Sequence, residues 1–316
     1  MPAVKMSHTR AVLQALFVTF LWSVSFVLIK VGLQQAIPPV TFAGLRYMLA
    51  ALVLLGPVLA RPAHRTTIRR MSRPDWLMLL TLGIVYYAIT QGTQFIALDR
   101  LPSATVSMFL NFSAVTIALL GIALLHERLG VVQWIGVGVS LVGAFVYLYP
   151  ITFPRAQWIG VIAVVVGMLA NSVSTVMTRH VNRGATLPPI VVTAISMALG
   201  AALMLGVALA TEGWPVLTAQ SWLLIAVLAV VNTALAFTLW NGALQTLPAA
   251  EAGVINNTML IQIAVLAWLF LGEALDAKAV IGLALAVIGT LLVQFRPAAA
   301  GVDSAESVTI QDEPAG

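Results

Sequence analysis

The sequence predicts an all-α polytopic membrane protein: ten transmembrane helices arranged as two inverted five-helix repeats. Three observations predict it. Of the 316 residues, 60% are hydrophobic and only 9% charged, and the mean hydropathy of +1.01 lies outside the soluble range. Apolar runs of about 20 residues, enough to cross roughly 30 Å of hydrocarbon as a helix, follow one another with no room for a soluble domain. A shift of 146 positions lays residues 75–149 over 221–295 without a gap.

The first run, 11–30, follows Lys5 and Arg10 and has the length of a secretory leader. No small-residue cleavage site with a soluble mature domain comes after it, so it reads as a retained helix. The second, 39–60, starts behind Pro38 and ends at the Arg-rich stretch 61–73. Runs at 76–98, 102–125 and 131–149 complete a first repeat, residues 1–150. Runs at 157–178, 188–211, 221–245, 248–271 and 277–295 make the second, residues 151–296. Pro102 and Pro248 stand in first turns, where a missing N–H has little consequence, and mark helix starts. Residues 297–316 carry Ala, Asp and Glu without periodicity and read as a disordered cytoplasmic tail.

Basic residues sort by side. Alternating the connections from an inside N-terminus collects Lys5, Arg10, Arg61, Arg65, Arg69, Arg70, Arg73, Arg128, Arg179, Arg183 and Arg296 on one side. Lys30, Arg100, Arg155 and Lys278 fall opposite. This positive-inside pattern places both termini in the cytoplasm and the chain in the cell inner (plasma) membrane. It also accounts for the net charge of +5 without a nucleic-acid partner. Cysteine is absent, which excludes disulfides, thiolate metal sites and cysteine nucleophiles.

The 146-residue shift pairs Trp76 with Trp222, Leu101-Pro102 with Leu247-Pro248, Asn111 with Asn257, Glu127 with Glu273, Gly136 with Gly282 and Gly143 with Gly289. With small gaps it extends backwards: Ser23 and Ser25 echo Ser172 and Ser174, and Pro38-Pro39 echoes Pro188-Pro189. Five spans per copy force the second copy to start on the opposite side from the first. Repeats inverted about an axis in the membrane plane suit secondary transporters, whose halves rock about a site between them. Duplication that merely built a stable bundle is the alternative, but it needs no polar groups at the axis.

The ten helices as five plus five, the stretch GLRYMLAAL around Arg46, and LLHERLGVVQWIGVGVSLVG across the fourth and fifth helices resemble the drug/metabolite transporter superfamily, EamA type. The resemblance covers residues from about 11 to 295. It implies an inner-membrane carrier, usually an exporter of amino acids or other small metabolites, with the fifth and tenth helices peripheral and the rest lining a central cavity. The second copy departs from the pattern: Ser196 stands where Arg46 would recur, and LGEAL replaces LHERL.

A polar group buried in hydrocarbon without a partner costs several kcal/mol, so polar residues near helix centres should face each other, water or a ligand. At about 1.5 Å per residue, Asn111 and Asn257 fall within roughly 3 Å of the midplane. Tyr86, Tyr87 and Asn232 lie at the centres of the third and eighth helices. Trp22, Ser23 and Ser25 stand on the first helix, and Asn171, Ser172 and Ser174 on the sixth. With Trp240, these make a candidate substrate-binding set of amides and aromatic faces, the rival reading being helix–helix hydrogen bonding. Gln91, Gln94, Asn256 and Gln262 are second-rank candidates. Arg46, two turns below the outer surface, is a candidate for a substrate carboxylate or for backbone carbonyls of a neighbouring helix. Glu251 is the one acid drawn into a span: a candidate proton carrier, or a complement to the ninth helix's dipole. Glu127 and Glu273 are assigned to turns that flex as hairpins move. Small residues four apart, Gly136 with Ser140 and Gly282 with Ala286, permit close packing and leave a monomer or a homodimer through the fifth and tenth helices open.

Enzyme chemistry has no footing. His8, His64, His126 and His180 fall in the connections, so no metal site or imidazole relay forms in the membrane. No glycine-rich phosphate loop is present, and no serine at midplane depth has a base. The expectation is a non-enzymatic secondary transporter without cofactor that exports a small molecule through alternating access. The alternative is a non-transporting membrane sensor or assembly subunit.

Overall fold

The computed structural model describes residues 6–125, 130–150, 152–183 and 187–294. Those residues are helical with short connections, as lipid demands, since a helix satisfies its own backbone polar groups. Among the described residues, ten helices are long and apolar enough to cross a membrane. They are α1 (His8–Gln34), α2 (Pro39–Ala60), α3 (Arg73–Arg100), α4 (Ser103–Leu125), α5 (Val131–Leu148), α6 (Trp158–Arg183), α7 (Pro189–Thr211), α8 (Ala219–Leu244), α9 (Ala249–Leu271) and α10 (Ala277–Gln294). The chain is a multi-pass membrane protein.

Starts and stops follow local chemistry. The Ser7 hydroxyl caps α1, and Ser72 with Asp75 forms a capping box for α3. Pro39 and Pro189 occupy first-turn positions of α2 and α7. Gly272 ends α9 in the left-handed region at φ 66°, a conformation in which a side chain would be strained.

Four features depart from the sequence reading. The Arg-rich stretch is not all loop, because Pro62–Arg70 forms a short helix. The mid-parts of α3 and α8, Gly83–Gln91 and Val230–Leu235, widen into π-helix. Phe112 interrupts α4 directly after Asn111. His8, expected in a connection, is the first residue of α1. His126, Glu127, Arg128, Arg296 and the tail 297–316 lie outside the described residues.

Large apolar residues such as Leu52, Val131, Phe145, Trp268 and Phe270 are exposed, while others such as Phe42, Phe95 and Leu98 are buried together with small and polar residues. Close approach of backbones replaces the hydrophobic effect as the source of cohesion. The most extensive pair is α5 with α10. A Cβ added to Gly143 would lie 2.5 Å from the Ala286 amide nitrogen, and one on Gly289 would lie 2.3 Å from that of Ser140. The small-residue faces of these helices are therefore used on each other. A dimer through α5 and α10 would have to employ their outward faces, which carry Trp134, Leu141, Ile281 and Ile288. Across the molecule α2 packs on α7, α1 on α8 and α9, and α6 on α3 and α4.

Candidate functional site

Call the end of the bundle where α1 begins the near face and the opposite end the far face. At the far face, two helix starts are held by carboxylates from elsewhere in the chain. Glu273, after α9, accepts from the Ser103 and Ala104 amides at 2.7 and 3.2 Å. Glu212, after α7, accepts from the Val40 and Thr41 amides and from the Thr41 hydroxyl. Both helices begin behind proline, which has no N–H of its own, and the next free N–H groups meet an anion at the positive end of the helix dipole.

Between the faces lies a cavity of about 360 Å³. Its wall draws on eight helices, all except α5 and α7. Arg46 and Tyr47 come from α2; Tyr86, Thr90, Gln91 and Gln94 from α3; Asn111 and Ser113 from α4; Asn171 from α6; Asn256 and Asn257 from α9. Trp22 packs on Phe237 with ring centroids 5.5 Å apart, and Tyr86 meets the same Phe237 ring at 6.5 Å. Carboxamides and aromatic faces thus share the wall of a space able to hold a small amphipathic solute.

Of the sequence candidates, Trp22, Arg46, Tyr86, Asn111, Asn171 and Asn257 line this cavity. Ser23, Tyr87, Asn232 and Trp240 do not. Ser23 is fully buried and donates to the Gln262 side chain and the Thr19 carbonyl. Tyr87 is 2% exposed and packs against Tyr47 and Tyr86. Asn232 donates to the Leu21 carbonyl at 2.6 Å, the helix–helix bond of the rival reading. Trp240 packs against Trp22, with centroids 5.2 Å apart. A midplane position sets depth but not direction, and these four point into helix interfaces. Glu251 stands in the first turn of α9, the position of the dipole reading, and is paired with His8 at 2.7 Å, tying α9 to α1 at the near face. Replacing Ser23 with alanine should lower stability by about 0.6 kcal/mol and leave transport unchanged. Unfolding titrations and uptake measured on the same preparation check both parts.

Second-rank Gln91, Gln94 and Asn256 reach the wall, whereas Gln262 is spent on Ser23, Thr19 and Thr258. Tyr47, Thr90, Ser107, Ser113, Thr175 and Phe237 were missed. So was Gln294, which extends from α10, a helix expected to be peripheral, and accepts from Asn257 at 3.4 Å. Alternation of polar residues along α3 (Tyr86, Thr90, Gln94) was a signal for some of them. For Gln294 there was none.

A model of the EamA-like transporter family matches the chain twice, over residues 9–149 and 158–295. The chain belongs to the EamA-like transporter family. It is a transporter and not an enzyme. Among curated relatives, a protein of Chlamydia trachomatis serovar L2 named S-adenosylmethionine/S-adenosylhomocysteine transporter is 26% identical over 288 residues, 87% of this chain and 86% of its own. A probable amino-acid metabolite efflux pump of Escherichia coli is 31% identical over 135 residues, 42% of this chain and 41% of its own. A solved crystal structure matches this EamA-type fold with a TM-score of 0.65 at 22% identity, covering 90% of this chain and 96% of that one.

Proposed function

We propose that this EamA-type transporter exports amino acids or related small metabolites across the cytoplasmic membrane by alternating access, with both termini inside and the far face outside. The observation that carries the reading is the central cavity, whose wall combines residues of both halves of the chain.

Helix pairing supports the mechanism. Exchanging α1 with α6, α2 with α7, α3 with α8, α4 with α9 and α5 with α10 turns each major contact between the halves into another. The α1–α9 contact becomes α6–α4, α3–α6 becomes α8–α1, and α3–α7 becomes α8–α2. The exchange is incomplete, since α4 touches α10 while its counterpart α9 makes no comparable contact with α5, and such a near-symmetric set supports a second conformation in which the halves exchange roles. The Chlamydia relative is named for S-adenosylmethionine and S-adenosylhomocysteine and the Escherichia coli relative for amino-acid metabolites, which favours that substrate class.

The test is efflux of a labelled metabolite panel from cells carrying the wild type or the double variant Asn111→Leu, Asn257→Leu. One or more solutes should leave the wild type faster and lose that advantage in the variant. If every solute leaves at the same rate from both, the cavity is not a transport site, and a sensor or assembly subunit becomes the better description.

A further inference from the structure

Within the cavity wall, Arg46 is the one residue with a formal charge. It is 4% exposed. Its Nε donates to the Thr233 hydroxyl at 2.9 Å and one Nη2 hydrogen to the Ser25 hydroxyl at 3.4 Å. No backbone carbonyl takes its remaining three N–H groups among the described residues. The guanidinium carbon lies 5.2 Å from the Tyr47 ring centroid and 5.9 Å from that of Phe95, within cation–π range of both, so aromatic contacts as well as hydrogen bonds hold it.

No acid among the described residues neutralises it. Asp75 is held by Ser72, Asp99 by Arg100, Glu212 by the start of α2, Glu251 by His8, Glu273 by the start of α4 and Asp276 by the Ala279 amide. The repeat supplies no second cation either. Ser196, at the position equivalent to Arg46, is 1% exposed and donates to the Val192 carbonyl of its own helix. A buried, pre-oriented, uncompensated guanidinium facing a neutral polar chamber is a receptor for an anion. One fork of N–H groups engages a carboxylate bidentately and matches its single charge, and the wall brings no second cation for the further charge of a phosphate dianion.

The same wall holds an acceptor without a donor. Asn111 Oδ1 is buried and unpaired among the described residues. Leaving such an atom unmade is costly, and a ligand ammonium would satisfy it.

We propose that Arg46 binds the substrate's carboxylate, held in place by Ser25 and Thr233, while Asn111 Oδ1 accepts from the substrate's ammonium. This rests on the transport reading above and adds a requirement to it: the substrate carries a free carboxylate beside an amine, and the aromatic faces of Trp22, Tyr86 and Phe237 receive its body. Thr233 and Ser25 are positioning residues.

The test uses full-length protein in proteoliposomes and counterflow of labelled L-tryptophan, L-methionine and S-adenosylhomocysteine. Tryptamine and L-methionine methyl ester serve as matched competitors lacking the carboxylate. The wild type should carry at least one of the amino-acid probes and prefer it to its matched analogue by about tenfold or more. Arg46→Gln should abolish that preference, and Thr233→Val should raise KM with kcat little changed. Should Arg46→Gln not fold, Arg46→Lys serves: it keeps the charge, loses the fork, and should weaken uptake of the zwitterion alone. Equal competition by tryptamine in the wild type, or undiminished preference in Arg46→Gln, overturns the assignment. If the broader efflux panel shows transport dependent on Asn111 and Asn257 while no amino-acid probe moves, the subsite is wrong and the transport reading stands.

Discussion

Replacing Gly200 with leucine should abolish the folded protein, whereas Gly206→Leu, six residues along the same helix, should leave it intact. A Cβ on Gly200 would sit 2.2 Å from the Gly83 carbonyl oxygen and 2.8 Å from Cβ of Tyr87. A Cβ on Gly83 would in turn lie 2.5 Å from the Ser196 carbonyl oxygen. Backbone is opposed to backbone here, so no flexible side-chain end can give way. Overpacking of an ordinary core costs about 1–3 kcal/mol and more where nothing can move. Gly206 has no atom within 4 Å of the same added carbon. Size-exclusion profiles of detergent-solubilised, fluorescently tagged variants check the contrast. A monodisperse Gly200→Leu peak would mean that α3 and α7 can separate without loss of the fold. The contact also matters for the cavity, because Gly83 opens the π-helical stretch that carries Tyr86, Thr90 and Gln91.

Replacing Glu273 with alanine should open the far face. Its carboxylate holds the first two free amides of α4, and charge-assisted bonds of this kind contribute about 1.5–3 kcal/mol each when buried. Glu273 is only partly buried, which reduces the expected effect to about 1 kcal/mol, a shift of roughly fivefold in a two-state equilibrium. The repeat relates Glu273 to Glu127 and the start of α4 to the start of α9. If the halves exchange shapes as proposed, Glu127→Ala should therefore shift the equilibrium the other way. The natural absence of cysteine makes the measurement direct. Gln94→Cys, in the cavity wall, should react faster with an impermeant thiol reagent from outside in the Glu273→Ala background and more slowly in the Glu127→Ala background. Unchanged rates in both would leave Glu273 an ordinary helix cap with no part in gating.

The two carboxylates at the far face show how sequence and structure divide the information. Glu273 stood out because it repeats, yet its partner was hidden: the amides of Ser103 and Ala104 are about 170 residues away, and backbone donors leave no trace in side-chain pattern. Glu212 does not repeat and drew no notice, although it makes the same kind of cap on α2. The π-helical segments were equally silent, since no residue type marks the extra residue they accommodate. One of them matters to Arg46, because it presents the Thr233 hydroxyl that receives the guanidinium Nε.

By itself the sequence determined the membrane class, the ten helices, the family resemblance and the place of the polar residues along those helices. Each depends on quantities that run along one chain: hydrophobic length, spacing and residue type. It also singled out Asn111, Asn257, Arg46 and Trp22, which do meet at one cavity. Only the tertiary structure decided which midplane groups face that cavity and which are consumed between helices, as Ser23, Asn232 and Gln262 are. The rotation of each helix about its own axis is set by backbone approaches such as Gly83 on Gly200 and Gly143 on Ala286. Those are contacts between distant segments, and hydropathy, which is apolar nearly all round such helices, cannot report them.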